Sequence, residues 1–214
     1  YEISTRDWSS DVCSSDLSIF EYGDISTCSF HATKLFHTGE GGALFTKDPE
    51  LFHKCFYSHN FGHKDALSFH GLGINGKISE IQAAMGLTVI PYINEIINSR
   101  RKAIERYKKL LNSKKIKTLA LRENSEWNCS YFPIILENEN SLLNILTSLN
   151  ALNIFPRRYF YPSLNELNYV TSHEKCAVSV DISRKVICLP LFYEISHETI
   201  SDICNCINNC LDRK

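Results

Sequence analysis

The run Ser29-Phe-His-Ala-Thr-Lys34, followed almost at once by Thr38-Gly-Glu-Gly-Gly42, constrains this chain more than any other stretch. A β-rich segment, Ile25 to Phe30, delivers a hydroxyl and a primary amine into a turn whose glycines let the backbone approach a ligand closely. An isolated lysine is ordinarily a solvated charge. Set between a strand and a glycine-rich loop, it can instead attack a carbonyl carbon as the neutral amine. That chemistry calls for shelter, because burial disfavours the ammonium and lowers its pKa from about 10.4. A strand, a lysine-bearing loop and a second strand over Gly42 to Thr46 are therefore expected here.

Further on, Lys47-Asp-Pro49 closes the second strand, and Pro49 suits the first turn of a helix with Leu51, Phe52, Cys55 and Phe56 on its apolar face. Residues Asn60 to Gly76, with four glycines and with His63 and His70, read as an irregular functional loop. Those histidines share no fixed face and no carboxylate partner, so they are expected to be solvated or to line a substrate rather than to bind metal. Ser79 can cap the next helix, which Pro91 should end or kink. From Tyr92 to Leu111 an apolar stripe (Ile93, Ile96, Ile97, Ile104, Tyr107, Leu110, Leu111) predicts a long amphipathic helix with a basic, solvated opposite face. A composition shift over residues 112–128 marks entry into a smaller α+β domain. It holds strands at Cys129–Leu136 and Lys185–Leu189 and helices at Ser141–Leu152 and Ser196–Leu211, the last capped by Ser196.

Four ordered segments carry a family likeness. Tyr22 to Phe45 resembles the active-site segment of the nucleotide-sugar aminotransferases of the DegT/StrS type, within fold type I of the pyridoxal phosphate enzymes. Gly73-Ile-Asn-Gly-Lys-Ile-Ser-Glu-Ile-Gln-Ala-Ala-Met-Gly-Leu87 is similar to the family's second signature. Pro156-Arg-Arg-Tyr-Phe-Tyr-Pro162 and Cys188-Leu-Pro-Leu191 are similar to its small-domain segments. The likeness runs from about Phe20 to the end. It implies an α/β fold, the C-terminal part of a fold type I transferase: a partial cofactor-binding large domain over 18–111 and a small C-terminal domain over 112–214.

The resemblance also implies roles. Lys34 would bond to the aldehyde of pyridoxal 5'-phosphate and then move the proton between donor and cofactor; Ser29 would hydrogen-bond the cofactor phosphate. Asn75 would reach the phosphate of a neighbouring subunit, so a homodimer with shared active sites is implied. A dianionic phosphate does call for such neutral and cationic donors. The implied reaction passes an amino group, from L-glutamate as the usual donor, to a keto sugar nucleotide. The His-Ala-Thr-Lys signature looks most like enzymes acting on a dTDP-4-keto-6-deoxyhexose, which feed surface polysaccharide or antibiotic sugars. Arg157 and Arg158 are candidates for the diphosphate, since guanidinium pairs bidentately with phosphate oxygens, and Tyr159 and Tyr161 for the sugar. A surface or structural role for all four competes with that reading. Asn165 stands where many family members carry histidine.

The formal net charge of -1 gives no pull toward nucleic acid or acidic membranes. Nine cysteines in apolar contexts suit a reduced cytoplasm rather than a secreted disulfide framework, and Cys204, Cys206 and Cys210 lack the histidines of a zinc set. No window has the apolar length of a membrane span. Finally, Asp7 to Leu17 resembles the translation of a sequencing adapter, so residues 1–17 are set aside as non-native. On that reading the chain lacks the large-domain segments that stack on the cofactor and pair with its ring nitrogen. It would then be inactive alone and expose apolar faces. The competing expectation is a non-catalytic fragment or assembly module of the same fold.

Overall fold

The computed structural model describes residues 20, 23–112, 114–121, 123, 125–171 and 175–212; the adapter-like segment lies outside them. The chain forms two compact units, one holding residues up to Asn94 together with Leu121–Asn128, the other Glu95–Ala120 and Cys129 onward.

In the first unit, β1 (Ser26–Ser29) pairs antiparallel with β2 (Gly42–Phe45), placing Ser29 opposite Gly42. The intervening loop carries Lys34. Helix α1 (Pro49–Ser58) starts as its sequence dictates: the Asp48 side chain accepts from the Glu50 and Leu51 amides and Pro49 fills the first turn, where no amide hydrogen is needed. Its apolar face is present but uncovered. No residue of α1 is buried, and Phe52 and Phe56 are 54% and 53% exposed; their ring contacts are with each other and with His53, Tyr57 and His59 of the same helix and its cap. Helix α2 (Glu80–Val89) opens on a reciprocal cap in which Ser79 and Gln82 satisfy each other's amides. Pro91 then sits in a 3-10 turn (Ile90–Tyr92), and the helix ends there.

The second unit contains most of α3 (Ile93–Leu110), β3 (Lys117–Thr118), β4 (Phe132–Ile135), α4 (Glu139–Ala151), α5 (Ala177–Lys185), β5 (Val186–Leu189) and α6 (His197–Asp212). The three strands form one antiparallel sheet in the order β3-β4-β5. On its far side β5 is bridged through Cys188 to the backbone of Arg157, so it is flanked on both edges, and all four of its residues are buried. Phe132, Ile134, Leu142, Ile145, Leu149, Ile187, Ile200, Ile203 and Ile207 are wholly buried. Each such side chain is worth roughly 1.5–3 kcal/mol of transfer free energy. Tyr107 of α3 stacks on Phe132 with ring centroids 5.3 Å apart, and its hydroxyl donates to the Pro190 carbonyl at 2.9 Å.

Several elements depart from the sequence expectation: β3 has no counterpart in it, and the strand expected over Cys129–Leu136 is confined to Phe132–Ile135. Helix α4 begins at Glu139 rather than Ser141, because Asn138 takes the cap and accepts from the Ser141 amide at 2.9 Å. Helix α5, which the sequence does not announce, forms over Ala177–Lys185.

Candidate active site

The loop from Phe30 to Gly41 is fastened at both ends and folded over its own side chains. The Phe30 amide donates to the Gly41 carbonyl at 2.9 Å, and the Thr38 amide donates to the Phe30 carbonyl at 3.0 Å. Phe30 meets Phe36 edge to face at 4.9 Å. Thr38 is buried, with its hydroxyl donating to the Glu40 carbonyl at 2.7 Å. Gly41 has a φ of 154°, and a Cβ there would stand 2.5 Å from Thr38 Oγ1, so only glycine closes this turn.

Within that loop the Lys34 amide donates to the His31 carbonyl at 2.9 Å, and the His31 amide donates to Ser29 Oγ at 3.3 Å. His31 also faces Thr33 Oγ1 at 2.9 Å and Glu40 at 3.5 Å. Burial pushes the Cys28 thiol up, against a smaller downward pull from the positive charge of Lys34. Ser29 and Lys34 are both exposed. The shelter that a nucleophilic amine calls for is not supplied by the described residues.

The two sequence signatures meet. A Cβ at Gly86 of α2 would lie 3.0 Å from Thr38 Cγ2 and 3.4 Å from Phe36 Cζ, and one at Gly41 would lie 3.4 Å from Ile78 Cδ1. The glycine of Ala-Ala-Met-Gly86 therefore lets α2 dock directly on the lysine loop. Ahead of α2, residues 73–76 run alongside 58–62: the Ile74 amide donates to the Ser58 carbonyl at 2.8 Å, the Phe61 amide to the Ile74 carbonyl at 2.9 Å, and the Gly76 amide to the His59 carbonyl at 2.8 Å. Asn75 is exposed on this braced segment, its Oδ1 accepting from Lys77 Nζ at 2.9 Å. The donor set of this unit (hydroxyl, amide and ammonium) suits an oxyanion, and the amine of Lys34 suits a carbonyl.

The candidate substrate residues lie in the second unit, and their environments differ. Arg158 pairs with Glu139 at 2.8 Å and lies 3.6 Å over the Tyr161 ring, so it is engaged inside the unit. Arg157 is exposed, with its guanidinium donating to the Tyr159 hydroxyl. Tyr131 meets Tyr159 edge to face at 5.5 Å. Asn165 accepts from buried Ser163 at 2.6 Å, and Ser163 in turn meets Ser179 at 2.8 Å. Lys77, which touches Asn75, escaped the sequence reading. The i, i+2 spacing on an extended segment, which puts both side chains on one face, was the available signal.

Among the described residues no group of three or more His, Cys, Asp or Glu side chains could hold a metal, and no helix is long and apolar enough to cross a membrane.

Residues 15–208 match the model of the DegT/DnrJ/EryC1/StrS aminotransferase family. The chain belongs to that family. It is 36% identical over 198 residues to a dTDP-4-amino-4,6-dideoxy-D-glucose transaminase of Shigella dysenteriae, covering 90% of this chain and 54% of that protein. It is 30% identical over 199 residues to a GDP-perosamine synthase of Escherichia coli O157:H7, covering 87% and 52%. Among solved structures it superposes on DesI in the presence of its TDP-sugar product with a TM-score of 0.82 at 26% identity, over 92% of this chain and 52% of that one. Helicobacter pylori PseC, at 22% identity and a TM-score of 0.76 over 92% of this chain and 56% of that one, shares the fold. The mixed α/β architecture is that of the sugar aminotransferases, as the sequence implied. The chain spans about half the length of the relatives it matches.

Proposed function

We propose that this chain is part of a pyridoxal phosphate-dependent aminotransferase that passes an amino group, from L-glutamate, to a keto sugar nucleotide of the dTDP-4-keto-6-deoxyhexose class. The observation that carries the reading is the docking of the Lys34 loop on the helix that follows Asn75, through Gly86 and Thr38. It joins in one unit an amine for a carbonyl and donors for a phosphate. When bound, the cofactor supplies the electron sink that acidifies the donor's α-carbon. The rest falls to the chain: Ser29 Oγ donates to the cofactor phosphate, Asn75 donates from a second copy, and Lys34 Nζ holds the cofactor in place and relays the proton. Fixing that amine beside the substrate replaces a diffusional proton transfer by an intramolecular one.

Support for a paired subunit comes from the surface around Asn75. Leu72 is 98% exposed, Ile74 70% and Ile81 84%, an apolar density that water-facing loops rarely carry. A second copy seated there would cover these side chains and help shelter Lys34. For the diphosphate, Arg157 is the better candidate. Arg157 is exposed and its guanidinium meets only the neutral Tyr159 among the contacts above, whereas Arg158 is paired with the Glu139 carboxylate.

The test is amino transfer from L-glutamate to a dTDP-4-keto-6-deoxyhexose, followed by mass spectrometry of the sugar product, in the enzyme carrying this chain. Lys34→Ala abolishes turnover and the visible absorbance of the lysine-bound cofactor. Retained turnover refutes the role.

A further inference from the structure

We propose that Lys77 is a positioning residue that sets the orientation of the Asn75 amide and so gives the site its second phosphate donor. The proposal rests on the reading of Asn75 given above. Lys77 Nζ is held from two sides. It lies 4.3 Å from the centroid of the Phe61 ring and donates to Asn75 Oδ1 at 2.9 Å. An ammonium has three donors and no acceptor, so it can engage only the oxygen of the amide. With Oδ1 taken by the ammonium, Nδ2 is the end of this exposed amide left to donate to an anion. Without Lys77 the amide could rotate by half a turn and present an oxygen to the phosphate, a repulsive contact in place of an attractive one.

The platform is built to keep that geometry. Phe61, which carries the ammonium on its ring face, is tied by its backbone amide to the Ile74 carbonyl at 2.9 Å, one residue before Asn75. Asn60 and Asn75 face each other across an antiparallel bridge. A Cβ at Gly73 would stand 2.0 Å from the Gly62 amide nitrogen, so glycine is required for the two segments to run this close. Ring, ammonium and amide are thus joined by a continuous chain of contacts. A cation held on an aromatic face keeps its charge while giving up side-chain freedom, which is what an orienting group requires.

The experiment is a titration of the enzyme carrying this chain with pyridoxal phosphate and, in parallel, with pyridoxal, which lacks the phosphate, using wild type, Asn75→Ala, Lys77→Met, Lys77→Arg and the Asn75→Ala/Lys77→Met double variant. The expected result is that Lys77→Met weakens pyridoxal phosphate binding by about three- to tenfold, the worth of one oriented hydrogen bond, while pyridoxal binding is unchanged. Lys77→Arg restores most of the loss. The double variant is no weaker than Asn75→Ala alone, because both changes remove the same donor. Additive losses would mean that Lys77 acts on the phosphate by itself, and would overturn the positioning role. So would a wild-type ratio in Lys77→Met with Asn75→Ala impaired, or an equal loss for both ligands. If Asn75→Ala itself binds like wild type, or wild type binds neither ligand, the underlying reading of Asn75 fails and takes the inference with it.

Discussion

Replacing Gly86 tests whether the docking of α2 on the Lys34 loop is what holds the loop in place. Alanine brings two opposed effects. It removes the penalty of a helical glycine, about 1 kcal/mol, and it adds a Cβ 3.0 Å from Thr38 Cγ2, closer than such contacts normally run. Thr38 cannot swing away freely, because its hydroxyl is bonded to the Glu40 carbonyl and its amide to the Phe30 carbonyl. The two effects offset each other, and Gly86→Ala should stay within about 1 kcal/mol of wild type. Leucine drives three more carbons toward Thr38 and Phe36, an overpacking that costs about 1–3 kcal/mol. That strain falls on the loop. The assay is hydrogen exchange at the Thr38 amide, whose protection reports local opening. Gly86→Leu should speed its exchange by roughly five- to hundredfold, Gly86→Ala by no more than roughly fivefold in either direction. Cofactor affinity should fall with Leu in parallel. A Leu variant with native protection at Thr38 would show that α2 does not bear on the loop.

Three further outcomes follow from the second unit. Tyr107→Phe removes the donor to the half-buried Pro190 carbonyl and should destabilise that unit by about 0.5–1.5 kcal/mol, seen as a lower urea midpoint at unchanged slope. Arg158→Met, which strands the half-buried carboxylate of Glu139, should lower stability, whereas Arg157→Ala should leave stability alone and weaken sugar-nucleotide binding, measured by calorimetry. Burial pushes the Cys188 and Cys204 thiols up to about 11 from the usual 9, so both stay protonated in the fold where the unfolded chain would already ionise. The stability they contribute is complete below pH about 9 and is lost as pH rises toward about 11. A urea midpoint that did not fall across that window would contradict the assignment, as would labelling of these two thiols as fast as exposed Cys176.

How far the sequence revealed the fold depended on whether the information was local. Caps and breakers were legible because each acts through its own neighbours: Asp48 and Pro49 start α1, Ser79 starts α2, and Pro91 ends it. The lysine loop was legible because its glycines fall where only glycine fits. Helix α5 was not. Val178, Val180 and Ile182 alternate with polar residues at the period of a strand, and helix forms only in a tertiary setting that includes the Ser163–Ser179 contact. Strand β3 is two residues long and has no pattern to read. The apolar face of α1 was correctly spaced, but spacing cannot say what covers a face, and in this chain Phe52 and Phe56 stay exposed. For the same reason Ser29, Lys34 and Asn75 could be nominated from their residue types, while the exposure of the amine and the contact between Lys77 and Asn75 came only with coordinates.

The central claim is that the amine of residue 34 is the cofactor's attachment point. Incubating the protein with pyridoxal phosphate at near-stoichiometric ratio, trapping with borohydride and mapping the modified peptide by mass spectrometry tests it directly. The account predicts that the phosphopyridoxyl group is found on Lys34 and is lost in Lys34→Ala, with the other lysines essentially unlabelled. Label spread over surface lysines, or the same yield from Lys34→Ala, would contradict it.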